Sequence, residues 1–75
     1  MTDFIRRDMI GWSDYRVELN GVWQDWKNTW EASESKGYVK RILKEPEYDI
    51  LGNMTKRPLT KTFYGRVFIV RYYEG

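Results

Sequence analysis

Histidine and cysteine are both absent from this chain of 75 residues. Without them there is no Ser-His-Asp triad, no Cys-His nucleophile, no imidazole- or thiolate-ligated zinc and no disulfide framework. Most hydrolase mechanisms are thereby excluded, and a reducing compartment fits the composition. The glycines, six in all, are scattered rather than clustered at the spacing of a phosphate-binding loop. Glu45, Glu47 and Asp49 are the closest-spaced carboxylates. They flank Pro46 in an expected turn, where acidic groups are ordinarily solvated. A chain this short also offers little room for a pocket on the order of several hundred Å³. The expectation is therefore a protein that is not an enzyme, with no cofactor and no metal.

Long apolar runs are missing as well. Val67-Phe68-Ile69-Val70, near the C-terminus, falls far short of the ~20 residues a membrane-spanning helix needs. Asp3, Arg6, Arg7 and Asp8 stand where a signal peptide would place its apolar segment. A cytoplasmic protein with no membrane partner is the simplest expectation.

What the chain does have is aromatic mass and unevenly placed charge. Aromatic residues make up 17% of it, and each ring removes roughly 150–250 Å² from water when buried. That compensates for a small domain, which buries only about 60–65% of its unfolded surface. Residues 1–35 hold four Lys/Arg against seven Asp/Glu, and residues 36–75 nine against four. Such asymmetry bears on partners rather than fold.

No repeat or linker divides the chain, which reads as one domain over residues 1–75. Thr2 is placed to cap a short helix over residues 3–10, with Gly11 as its stop. Tyr15-Arg16-Val17-Glu18-Leu19 alternates apolar and polar, and Asn20-Gly21 is a favoured dipeptide for a two-residue type I′ hairpin turn. That hairpin would set Leu19 opposite Val22, Arg16 opposite Asp25 and Tyr15 opposite Trp26. A helix starting at Asn20 competes with it, because Trp23, Trp26 and Trp30 would then form one stripe. The local turn signal favours the hairpin, with Trp26 in the core and Trp23 on an outer face or edge. Trp30, at a junction, fits either environment.

Residues 30–44 read as a helix, with Ala32, Ser35, Val39, Ile42 and Leu43 on one face and Lys40, Arg41 and Lys44 on the other. Pro46 would end it, although Gly37 lies inside at a cost of about 1 kcal/mol. Residues 48–51 read as a short strand. Residues 65–73 read as a long one, apolar on both faces and so placed at the sheet centre. Asn53 to Tyr64 reads as a long connecting loop of functional interest. The expected architecture is α+β: a short N-terminal helix and an antiparallel sheet of about four strands with one helix packed on it. The alternative is a small β-barrel in which residues 38–44 also form a strand.

Two functional readings follow, and no family resemblance adds to them. The first is a non-enzymatic protein-binding module that modulates or inhibits a larger macromolecular partner through an aromatic and basic surface. Four Trp and six Tyr exceed what one small core can hold, and interface centres favour Trp, Tyr and Arg. Trp23, Trp30, Tyr72, Tyr73 and Arg71 are the candidate partner-binding residues. Such chains fit the accessory proteins of bacteria and bacteriophages. The second is a nucleic-acid-binding module in which Lys56, Arg57, Lys61, Phe63, Tyr64 and Arg66 contact phosphates and unpaired bases, or an acidic protein surface. Exposed aromatics would also allow a homodimer.

Overall fold

The computed structural model describes residues 3–71. Among them there are nine β-strands and no α-helix, so the α+β expectation is overturned and the small all-β alternative lies closer. The strands are β1 (Phe4–Arg6), β2 (Tyr15–Leu19), β3 (Val22–Gln24), β4 (Thr29–Ser33), β5 (Tyr38–Lys44), β6 (Glu47–Tyr48), β7 (Met54–Lys56), β8 (Leu59–Tyr64) and β9 (Val67–Arg71). A single turn of 3₁₀ helix, Trp12–Asp14, precedes β2.

All pairings are antiparallel. A larger sheet has the order β1-β4-β5-β8, a smaller one β3-β2-β9, and β6 with β7 forms a two-stranded arm. The core lies between the two sheets. Ile5, Ala32 and Val39 enter it from the larger sheet, and Val17, Val67 and Ile69 from the smaller. Trp26, from the β3–β4 connection, completes it. The Trp26 indole N–H donates to the Tyr15 carbonyl at 2.6 Å, and Trp12 packs edge-on against its ring at a centroid distance of 5.3 Å.

The hairpin forms as its turn dipeptide dictates. Asn20 and Gly21 both adopt positive φ, 53° and 83°, the signature of a type I′ turn, and Leu19 lies opposite Val22. The ladder stops at Val17–Gln24. Arg16 therefore does not face Asp25; it lies opposite Val70 and approaches Glu18 at 3.5 Å. Tyr15 meets Trp26 through the indole hydrogen bond rather than as a ladder pair.

The helix expected over 30–44 is two strands joined by a tight turn. Gly37, at φ +65°, sits in the left-handed region that ends a helix or closes a turn. Its N–H donates to the Ser33 carbonyl at 3.1 Å, and the Lys36 N–H donates to Ser33 Oγ at 3.2 Å. Thr29, Trp30, Tyr38, Val39 and Ile42 are β-branched or aromatic and suit a sheet. With β1 and β5 on its two edges, β4 is buried at all five positions.

Four further expectations are corrected. The N-terminal helix is replaced by β1 and a turn, and its proposed cap, Thr2, lies outside the described residues. The strand expected over 48–51 ends at Tyr48, where Asp49 starts a turn: its carboxylate accepts the N–H groups of Leu51 and Asn53 at 3.0 and 2.8 Å. Ile50, at the tip, is wholly exposed. The segment from Asn53 to Tyr64 is not a loop; it supplies β7 and β8, the latter pairing with β5 along its length. Finally, β9 is an outer strand of the smaller sheet rather than a central one, covered on one face only.

Gly65 carries the chain from the larger sheet to the smaller. Its N–H donates to the Gly37 carbonyl at 3.0 Å, and the Arg66 N–H donates to Asn20 Oδ1 at 2.9 Å. Three turns thus meet at one corner. A methyl group on Gly65 would lie 2.6 Å from the Asn20 side chain, which explains a glycine there.

Candidate functional site

In the smaller sheet, Val17 points inward and is fully buried, so its neighbour Glu18 points outward. Trp23 on β3 and Phe68 on β9 are both in register with Glu18, one on each side. Cross-strand partners share a face, so the three side chains form one outward row. Trp23 is 59% exposed and Phe68 47%. Arg16 and Val70, opposite each other, form the next row. The result is a face with two large rings astride a carboxylate, backed by an arginine.

The outer face of the larger sheet is built differently. Arg6, Glu31 and Lys40 form a row across β1, β4 and β5. Glu31 is only 7% exposed, yet it accepts a hydrogen bond from the Tyr38 hydroxyl at 2.5 Å and lies within 3.9 Å of Arg6 and 3.7 Å of Lys40. Burial and the bond to Glu31 push the Tyr38 phenol up to about 12. The Arg6 guanidinium, bonded to the Asp8 carboxylate at 2.7 Å, is held above its ordinary value. Beside this network lies a cavity of about 260 Å³ that includes Trp30, Arg57 and Met54 in its wall. Arg6, Asp8, Glu31 and Lys40 there are matched to one another.

The expected site residues divide among these regions. Trp23 is at the outward row. Trp30 is 7% exposed, with the Arg7 guanidinium 5.8 Å from its ring centroid, so it is a wall of the cavity and not an interface ring. Arg71 stacks on Tyr15 at 5.7 Å, off the row. Tyr72 and Tyr73 lie outside the described residues. The six cationic and aromatic residues expected to contact nucleic acid do not gather at one place. Lys56 sits on the arm opposite Glu47, Arg57 borders the cavity, and Arg66 occupies the β8–β9 corner. Tyr64 shares a row with Phe4, Ser33 and Tyr38. Only Lys61 and Phe63 are brought together, with the Lys61 ammonium 5.4 Å from the ring centroid.

Phe68 is the site residue that sequence reading passed over. It sits in an unbroken apolar run that reads as covered on both sides, and only the uncovered outer face of the smaller sheet leaves that ring to solvent. Among the carboxylates, Glu45 pairs with Arg7 at 2.6 Å and Asp49 is engaged in its own turn. No helix among the described residues is long and apolar enough to cross a membrane. Comparison with protein-family models, with curated protein sequences and with solved structures finds no match for the chain.

Proposed function

We propose that this protein is a non-enzymatic, cytoplasmic protein-binding module that modulates a larger macromolecular partner by covering part of its surface. The observation that carries this reading is the outward row of Trp23, Glu18 and Phe68. Burying two rings that the fold leaves half exposed supplies apolar association energy, and the Glu18 carboxylate between them, with Arg16 beside it, supplies the polar contacts that set orientation. Energetic centres of interfaces favour such rings surrounded by polar groups. The row sits on paired strands, so little ordering is required when a partner docks.

A photoreactive amino acid in place of Trp23 tests this, with the same label in place of Lys36 as control. In extracts from the cells in which the protein acts, the Trp23 position is expected to give one discrete adduct that the control position does not. Equal yields from both positions, or none from Trp23, would remove the assignment.

A further inference from the structure

We propose that Arg41, Lys44 and Lys61 form a phosphate-binding patch for the backbone of a single-stranded polynucleotide, with Phe63 steadying Arg41 and Lys61. The patch lies on the larger sheet and is independent of the protein-binding row.

Its geometry comes from β5 and β8. Arg41 and Lys61 are direct cross-strand partners, and Val39 and Phe63 are partners two residues along. Both pairs therefore face the same side, the one on which Val39 enters the core. The ladder then shifts between Ile42 and Lys44, so that Lys44 lies opposite Leu59. On β8, Leu59, Lys61 and Phe63 alternate onto one side. The irregularity thus returns Lys44 to the side that holds Arg41, which strict alternation would have denied it.

Like charges directly opposite each other destabilise a sheet. Here the pair is retained, and among the described residues no acidic side chain forms an ion pair with it. The ion pairs among the described residues take Arg6, Arg7, Arg16 and Lys40, but none of Arg41, Lys44 and Lys61. The contrast with Lys40 is instructive: one residue away from Arg41, it points to the other side and meets Glu31. The Phe63 ring, half-buried, receives the Arg41 guanidinium at 6.0 Å and the Lys61 ammonium at 5.4 Å. The ring's negative face steadies both cations.

A clustered, unneutralised set of cations attracts an anion. The surface is open, so a lone small anion would be weakly held, whereas successive phosphates on a polymer reinforce one another. The exposed Leu59, beyond Lys61 on the same side of β8, offers apolar contact to unpaired bases, which a duplex keeps stacked inside. A single strand is therefore favoured over a duplex.

The test is fluorescence anisotropy of labelled oligothymidylate with the full chain, at several salt concentrations. Saturable binding is expected, with a steep salt dependence. Lys61→Thr and Lys44→Ala should each weaken it several-fold and reduce the slope of log K against log salt by about 0.7. Phe63→Leu should weaken it with little change in slope. Lys61→Thr, which relieves the like-charge pair, should melt no lower than wild type, showing that the loss is not misfolding. Trp23→Ala should bind the oligonucleotide as wild type does. The proposal is overturned if the cation variants bind normally, or if Trp23→Ala alone abolishes binding. It is equally overturned if a duplex binds as tightly, or if inorganic phosphate or polyglutamate competes as well as unlabelled oligothymidylate.

Discussion

Each sheet carries a glutamate at the middle of an outward row, and the two rows behave in opposite ways. Glu31 lies between Arg6 and Lys40 and is enclosed with the Tyr38 hydroxyl; Glu18 lies between Trp23 and Phe68 and keeps contact with solvent. The first row satisfies its own charge within the molecule and contributes to the fold. The second leaves apolar surface outside it. Position in a row therefore does not decide a residue's role; the chemistry of its two cross-strand neighbours does.

The strongest way to break this comparison is to remove each glutamate. Glu31→Ala should destabilise by about 2–3 kcal/mol, because the Tyr38 hydroxyl and two partly exposed cations lose their shared buried acceptor. Glu18→Ala should change stability by less than about 0.5 kcal/mol. Urea unfolding of both variants checks the difference, and similar midpoints would show that the two rows are energetically alike.

Gly37→Ala tests the turn that aligns Glu31 with Lys40. The residue has φ +65° and a methyl group would lie 2.9 Å from the Gly65 carbonyl oxygen, whereas Gly21, at φ +83°, has open space around it. The expected cost is about 2–3 kcal/mol at Gly37 against about 1 kcal/mol at Gly21, read as thermal midpoints.

The rows should also differ in alkali. Tyr38 ionises near 10.0 in the unfolded chain and at about 12 in the folded protein. Its contribution is full below the unfolded value and is lost as pH rises through the folded one. Stability should accordingly fall between these two values, and Tyr38→Phe should flatten that part of the profile while costing about 1 kcal/mol at neutral pH. An unchanged profile in the variant would assign the fall to other tyrosines.

A small effect on folding is expected where the effect on association is largest. Phe68→Ala should shift stability by less than about 1 kcal/mol, since its ring is half exposed, yet abolish the discrete adduct formed from the Trp23 position. Retention of that adduct would place the interface elsewhere.

Much of the smaller sheet was legible in the sequence. Asn20-Gly21 between two alternating segments carries its own conformation, and with it follow the Leu19–Val22 pairing and the outward Trp23, whereas Trp26 reaches the core from the β3–β4 connection, beyond the end of the ladder. The larger sheet was not legible in the same way. Ala32, Val39 and Ile42 satisfy a helical period as readily as they occupy strands, and Gly37 was read as a defect inside a helix rather than as the turn between β4 and β5. Likewise, Thr60, Thr62, Phe63 and Tyr64 are good strand formers, but Pro58 and the interspersed cations gave that segment the look of a loop.

By itself, then, the sequence determined the absence of thiol and imidazole chemistry, the turn of the first hairpin with its Leu19–Val22 pairing, and the outward Trp23. These depend on composition or on contacts between near neighbours along the chain. Only the tertiary structure decided that residues 30–44 are strands, that Phe68 faces outward, and that Arg41 and Lys44 join Lys61 while Lys40 turns to Glu31. Each of those depends on pairing between distant segments, Phe4 with Ser33, Tyr15 with Arg71 and Arg41 with Lys61. Burial and cross-strand neighbours exist only once those segments meet, and local propensity carries no information about them.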